Sequence, residues 1–166
     1  MPNWVKNVMK VHGLSTEERE KMFLAIRGEE NKETGEARVI DFEKIIPMPP
    51  NIFRGNMGKE EWKIYGRNNW YDWSIENWDT KWNASNGYRH NDKCIVFDTA
   101  WSLPYNIYCE LAKKYPKAII EVMYADEDIG SNCGHFKIRY GTNDFFIFDF
   151  PMSDPKRFAN RLWNNY

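Results

Sequence analysis

A chain of 166 residues is the size of one ordinary domain and is long enough to enclose a hydrophobic core. With 42% apolar and 28% charged residues it is globular in composition, which excludes a disordered or low-complexity chain. Its 23 basic and 24 acidic side chains give a formal charge of -1 with no long block of one sign, so the broad cationic footprint of nonspecific duplex binding is missing.

From Trp4 to Val11, apolar residues and lysines alternate as in a strand, and His12-Gly13 closes it. Ser15 and Glu18 form an S-x-x-E capping box ahead of Met22, Phe23 and Ile26, which predicts a helix that stops at Gly28. The charged stretch Glu29 to Glu36 reads as a solvated loop and Ala37 to Phe42 as a short strand. Ile46-Pro47-Met48-Pro49-Pro50 forbids helix and central strand alike. Lys59 to Tyr65 has helical composition, and a second, aromatic helix is predicted over Trp70 to Trp82, WYDWSIENWDTKW. On it Tyr71, Ile75, Trp78 and Trp82 fall on one stripe, with Asp72, Glu76 and Asp79 opposite. Residues 82 to 87 then read as a turn.

The second half predicts a strand at Cys94 to Asp98, a helix capped by Ser102 with Leu103, Ile107 and Leu111 inward, and a stop at Pro116. Strands follow at Ala118 to Tyr124, His135 to Tyr140 and Phe145 to Phe150, the last two joined by a Gly-Thr-Asn-Asp turn, and a helix runs from Ser153 to Trp163. A βαβ crossover plus a hairpin, with the opening strand and helix, predicts an α+β ferredoxin-like sandwich: a mixed or antiparallel sheet, helices packed on one face, and an aromatic-rich helical insertion. The chain reads as a single domain over 1–166, with a variable N-terminal part and insertion over about 1–92 and the βαβ plus hairpin core over about 93–166.

Cys94, Cys109 and Cys133 have no C-x-x-C spacing, and the N-terminal segment lacks the apolar run of a signal peptide or membrane span, so a reducing cytoplasm without membrane contact is expected. Each cysteine reads as a small buried hydrophobe or an inert thiol. No phosphate loop, G-x-S-x-G or H-E-x-x-H motif occurs, and His12, His90 and His135 lack zinc-pair spacing; no cofactor, metal or catalytic residue is predicted. The carboxylate face of the aromatic helix reads as solvated, because acid-base work needs burial to shift a pKa, and Asp126-Glu127-Asp128 reads as an ordinary connection. In His135 to Tyr140, Phe136, Ile138 and Tyr140 face one side while His135, Lys137 and Arg139 face the other, so an open sheet face would present a row of cations. Within this strand the alternation separates aromatics from cations, which weighs against single-stranded RNA.

DFEKIIPMP at Asp41 to Pro49, WYDWSIENWDTKWNA at Trp70 to Ala84 and TAWSLP at Thr99 to Pro104, with NWVKN at Asn3 to Asn7, resemble in this order the YubB-like ferredoxin-fold family carried by phages and plasmids. Asp79 stands where the family's tryptophan motif has Gly, which predicts an extended or strained helix end. The resemblance implies a small ferredoxin-like protein of a mobile element and transfers no catalytic or ligand residue.

The leading expectation is a non-enzymatic binding protein that engages a host protein or complex, such as a defence system, stoichiometrically, with Trp70, Trp73 and Trp101 as anchors. The alternative is a nucleotide or single-stranded nucleic-acid binder using Lys137, Arg139 and Tyr140. The third is an enzyme with a carboxylate/histidine centre joining His90 or His135 to the Asp72 face. Oligomeric state is not legible.

Overall fold

The computed structural model describes residues 1–166. Its elements in chain order are β1 (Trp4–His12), α1 (Thr16–Ile26), α2 (Lys59–Tyr65), α3 (Trp70–Trp78), β2 (Ser85–Asn91), β3 (Cys94–Ala100), α4 (Tyr105–Lys114), β4 (Ile119–Asp126), β5 (Cys133–Gly141), β6 (Asp144–Asp149) and α5 (Pro155–Asn165). The six strands form one antiparallel sheet in the order β2-β3-β1-β4-β5-β6. Strands β3 and β4 both run antiparallel to β1 between them and so run parallel to each other, which requires the crossover that α4 supplies. The first four positions are thus the interleaved β-α-β units of the ferredoxin-like α+β sandwich, and the β5–β6 hairpin widens the sheet beyond β4.

Local chemistry accounts for most boundaries. The hydroxyl of Ser15 accepts the Glu18 amide at 3.1 Å while the Glu18 carboxylate accepts the Ser15 amide at 2.9 Å, closing the expected capping box of α1. Asp154 caps α5, with Pro155 in the first turn. Residue alternation sends Met9, Val11, Ile95, Phe97, Ile120, Val122, Phe136 and Ile138 to one face, where they join Met22, Phe23 and Ile26 of α1 and Ile107, Tyr108 and Leu111 of α4. Val8, Cys94, Val96 and Ala125 point the other way and pack on Ala159 and Leu162 of α5. α5 therefore lies across the sheet from the other helices and departs from the one-faced arrangement expected. All seven residues of β3 are buried because both faces are covered there.

Four local expectations are corrected. Residues 37–41 form no strand; Asp41 instead caps a single 3-10 turn at Phe42–Lys44, its side chain accepting the Glu43 amide at 3.0 Å. The stretch read as a turn after Trp82 becomes β2, an irregular edge strand with bulges that hydrogen-bonds only to β3. Helix α3 ends at Trp78, so the buried residues are Ser74 and Trp78, while Ile75 is 39% exposed. Asp79 closes the helix in the left-handed region at φ 61, which is the strain expected where Gly is replaced. Ser102 caps nothing; its hydroxyl donates to the Asp79 carbonyl, and α4 begins only at Tyr105, after Pro104.

Candidate functional site

α5 crosses its face of the sheet diagonally, from Cys133 of β5, whose thiol lies 4.0 Å from the Pro155 carbonyl, to β2, where Tyr166 meets His90 at 4.9 Å between rings. The rest of that face, on β4, β5 and β6, has no covering element. The hairpin turn decides what it displays. Thr142 and Asn143 adopt φ 50 and 63, the left-handed pair of a two-residue hairpin turn, and this fixes Gly141 opposite Asp144, Arg139 opposite Phe146 and Lys137 opposite Phe148. Side chains directly opposite across a pair share a face. Lys137 and Arg139 therefore stand beside Phe146 and Phe148, which are 46% and 60% exposed.

The two residue types are interleaved and in contact. The Arg139 guanidinium lies 4.4 Å over the Phe146 ring and the Lys137 ammonium 5.6 Å from the Phe150 ring. A shallow groove of ≈ 450 Å³ between β5 and β6 includes Ile119, Lys137, Arg139, Phe146 and Phe148 in its walls. The expectation that aromatics and cations would be separated holds within β5 alone; β6 supplies the aromatics on the cationic face, and that correction follows from the hairpin register. Tyr140 is on the opposite face, packed edge-on against Phe145 at 5.1 Å, so the structure brings Lys137 and Arg139 together and leaves Tyr140 out.

Deeper on the open face is a constellation that the sequence reading missed. His12 Nε2 lies 2.6 Å from one carboxylate oxygen of Glu121 and His135 Nε2 lies 2.8 Å from the other. An ionised carboxylate only accepts, so both imidazoles present Nε2–H to it. Burial opposes ionisation of Glu121, but the hydrogen bonds from His135 and His12 outweigh it and hold its carboxyl below the ordinary value of 4.5. His135 is stacked on Phe150 at 4.0 Å between rings. Lys10 of β1 and Lys137 of β5 stand directly opposite Glu121 on its two sides. Among the cations of the sheet, Lys6 pairs with Asp98 and Arg89 with Glu20, and the Glu121 carboxylate is taken by the two histidines; Lys10, Lys137 and Arg139 have no carboxylate partner. No local signal in the sequence joins His12 to Glu121, 109 positions apart; only strand pairing does.

The tryptophans take other roles. Trp70 donates its indole N–H to the Gly55 carbonyl at 2.9 Å, and Trp73 packs edge-on against buried Trp78 at 5.3 Å, so both flank the main core. Trp101 is 42% exposed, and the Lys81 ammonium sits 4.6 Å from its ring and 4.3 Å from that of Trp82. The three carboxylates of the aromatic helix disperse: Asp72 accepts from Asn69 at 2.7 Å, Glu76 lies 3.7 Å from Arg67, and Asp79 accepts the Asn106 amide at 2.9 Å. His90 lies by Tyr166, and the Glu121 pair holds His135, so neither histidine meets the Asp72 face. No helix is long and apolar enough to cross a membrane.

Neither the curated proteins nor the solved structures contain a match to this chain. Residues 77–148, from the last turn of α3 into β6, match the family model described as the ferredoxin-like domain in Api92-like protein, and the sheet topology agrees with that description.

Proposed function

We propose that this chain is a binding protein whose open sheet face holds a single strand of nucleic acid. The observation that carries the reading is the interleaving of unpaired cations with exposed phenyl rings on one uncovered surface: Lys137 and Arg139 beside Phe146 and Phe148. Phosphates require mobile cations without a competing carboxylate, and unstacked bases require open aromatic faces. A duplex offers no free base faces, so single strands are the class that uses both halves of this surface. The resemblance to the YubB-like family supports a phage or plasmid setting in which the strand comes from the element or its host.

Fluorescence anisotropy with labelled single-stranded and duplex oligonucleotides over a salt series tests the reading. Three engaged cations, Lys10, Lys137 and Arg139, predict log K falling against log salt with a slope of about -2, and Lys137→Ala or Arg139→Ala reduces its magnitude by about 0.7 each. Phe148→Ala weakens binding by about 1–3 kcal/mol and leaves the slope unchanged. Affinity that ignores salt, or equal affinity for duplex, refutes it.

A second reading, stoichiometric capture of a host protein such as a defence component, is favoured by the exposure of Trp101. Trp101→Ala abolishing co-purification of a defined host partner supports it, and an unchanged complex removes it.

A further inference from the structure

Strand binding by the open face leaves the Glu121 cluster without a task, and its chemistry is specific. Both imidazoles give Nε2–H to one carboxylate, so each keeps its Nδ1 as the remaining basic site, and neither Nδ1 is hydrogen-bonded within the protein or sealed from solvent. The pair is bracketed in register by the unpaired ammonium groups of Lys10 and Lys137, with Arg139 two residues further along β5. Two imidazoles near each other, cations free for a phosphate, and an adjoining surface suited to a strand are the parts that ribonucleotide cleavage needs.

We propose that single-stranded RNA lying across the open face is cut at this cluster by metal-free transphosphorylation, with His12 and His135 as the acid-base pair and Glu121 as a positioning residue. The inference rests on the strand-binding reading and adds an activity to it. One imidazole removes the 2′-hydroxyl proton through Nδ1, and the freed 2′ oxygen attacks the adjacent phosphorus. As the new P–O2′ bond forms, the P–O5′ bond breaks, and the other imidazole, protonated beforehand, delivers its proton to the leaving 5′ oxygen. The products are a 2′,3′-cyclic phosphate and a 5′-hydroxyl; no water, metal or redox partner enters the step. Glu121 fixes the tautomer and orientation of both rings by accepting one Nε2–H on each carboxylate oxygen. Lys10, Lys137 and Arg139 are placed to hold the charge that develops on the phosphate. A long polymer needs no enclosed cavity, because it is held by the groove to either side of the scissile bond. A strand lacking 2′-hydroxyls carries no nucleophile, so it binds and survives.

The test uses the full chain, EDTA, an end-labelled single-stranded RNA, and an all-deoxy strand of the same sequence read for binding. The expected result is RNA fragments ending in cyclic phosphate and an intact deoxy strand. His12→Ala and His135→Ala should each slow cleavage by about 10²–10⁴-fold while the deoxy strand binds as before, which also reports that the variants fold. Glu121→Gln should lower kcat and leave KM unchanged, because the amide cannot accept from both rings on two oxygens. Binding of the deoxy strand without cleavage of RNA overturns this inference and leaves the strand-binding reading standing; cutting at the wild-type rate by both histidine variants overturns it as well. Failure to bind the deoxy strand overturns the binding reading first.

Discussion

Replacing Tyr108 by Phe removes one oxygen atom from the centre of the molecule and tests the polar wiring of the core. Tyr108 on α4 is fully buried, and its hydroxyl donates to Asn7 Oδ1 at 3.0 Å. Asn7 on β1 is fully buried too, and its amide donates to Thr99 Oγ1 at 2.9 Å and to the Val5 carbonyl at 3.0 Å. The Thr99 hydroxyl donates to the Ser102 carbonyl at 2.8 Å, so one chain of bonds ties α4, β1, β3 and the loop that carries Trp101. Phe keeps the ring and the packing but orphans Asn7 Oδ1, and leaving a buried acceptor without a donor costs about 1–3 kcal/mol. For a chain of this length each kcal/mol moves the melting midpoint by about 2–4 °C. Urea unfolding followed by tryptophan fluorescence should show a lower midpoint with an unchanged m value. Burial holds the Tyr108 hydroxyl well above its ordinary 10.0, so the wild type itself loses stability as pH rises through the unfolded value. The variant lacks that loss, and the gap between the two proteins should narrow in alkali. A neutral-pH loss under about 0.5 kcal/mol refutes the reasoning, because a typical net hydrogen bond alone exceeds it.

Asp79→Gly relieves a left-handed backbone cost of about 1–2 kcal/mol but forfeits the charge-assisted bond to the Asn106 amide at the start of α4, worth about 1.5–3 kcal/mol. A net loss near 1 kcal/mol follows, and Asp79→Asn, which tolerates the same φ and still accepts but as a neutral group, should also lose about 1 kcal/mol; urea midpoints check both, and a stabilised Gly variant contradicts the balance. Burial pushes the Cys94 thiol up to about 11 and raises Cys109 and Cys133 as well. Native protein should react sluggishly with a chromogenic disulfide at neutral pH and release all three thiols on unfolding; rapid labelling of Cys94 in the folded state contradicts its burial. Glu121 has a lowered folded-state pKa, so its stabilisation is present above the unfolded value and disappears as pH falls through the folded one. Glu121→Gln should be less stable than wild type at neutral pH, with the difference closing in acid; a difference independent of pH removes the assigned role.

The elements that local chemistry specifies were legible. The Ser15–Glu18 box fixed α1, and the alternation of β1 and β5 put Met9, Val11, Phe136 and Ile138 on one apolar face that became the core. β2 was not legible, because Ser85 to Asn91 carries Asn86 at φ 50, a Gly and no apolar alternation; it is a strand only because β3 pairs with it. Gly87 is held there by space, since a Cβ at that position would lie 2.6 Å from the Val39 side chain. Half of the open site was readable in β5 alone. The other half was implicit in the turn already recognised between β5 and β6: two residues at positive φ force Arg139 opposite Phe146, and this register puts rings on the cationic face. His12 and Glu121 needed the β1–β4 pairing, which no local pattern encodes.

The open area is not simply what remains after the core is covered. A chain that already spends α5 on one half of this face could shield the phenyl rings of β6, yet α5 packs Ala159 and Leu162 on Val8, Cys94, Val96 and Ala125 and leaves Phe146 and Phe148 in solvent. β6 is also an edge strand, and an unpaired apolar edge invites association. Asp144 and Asp149 bracket it and oppose pairing with an identical strand in the register that aligns one with the other. Arg139 over Phe146 and Lys137 by Phe150 set charge beside the apolar rings of this edge. Such a ring-and-cation surface is costly as a resting state, and under the proposed strand binding bases would cover the rings while phosphates take over the cations.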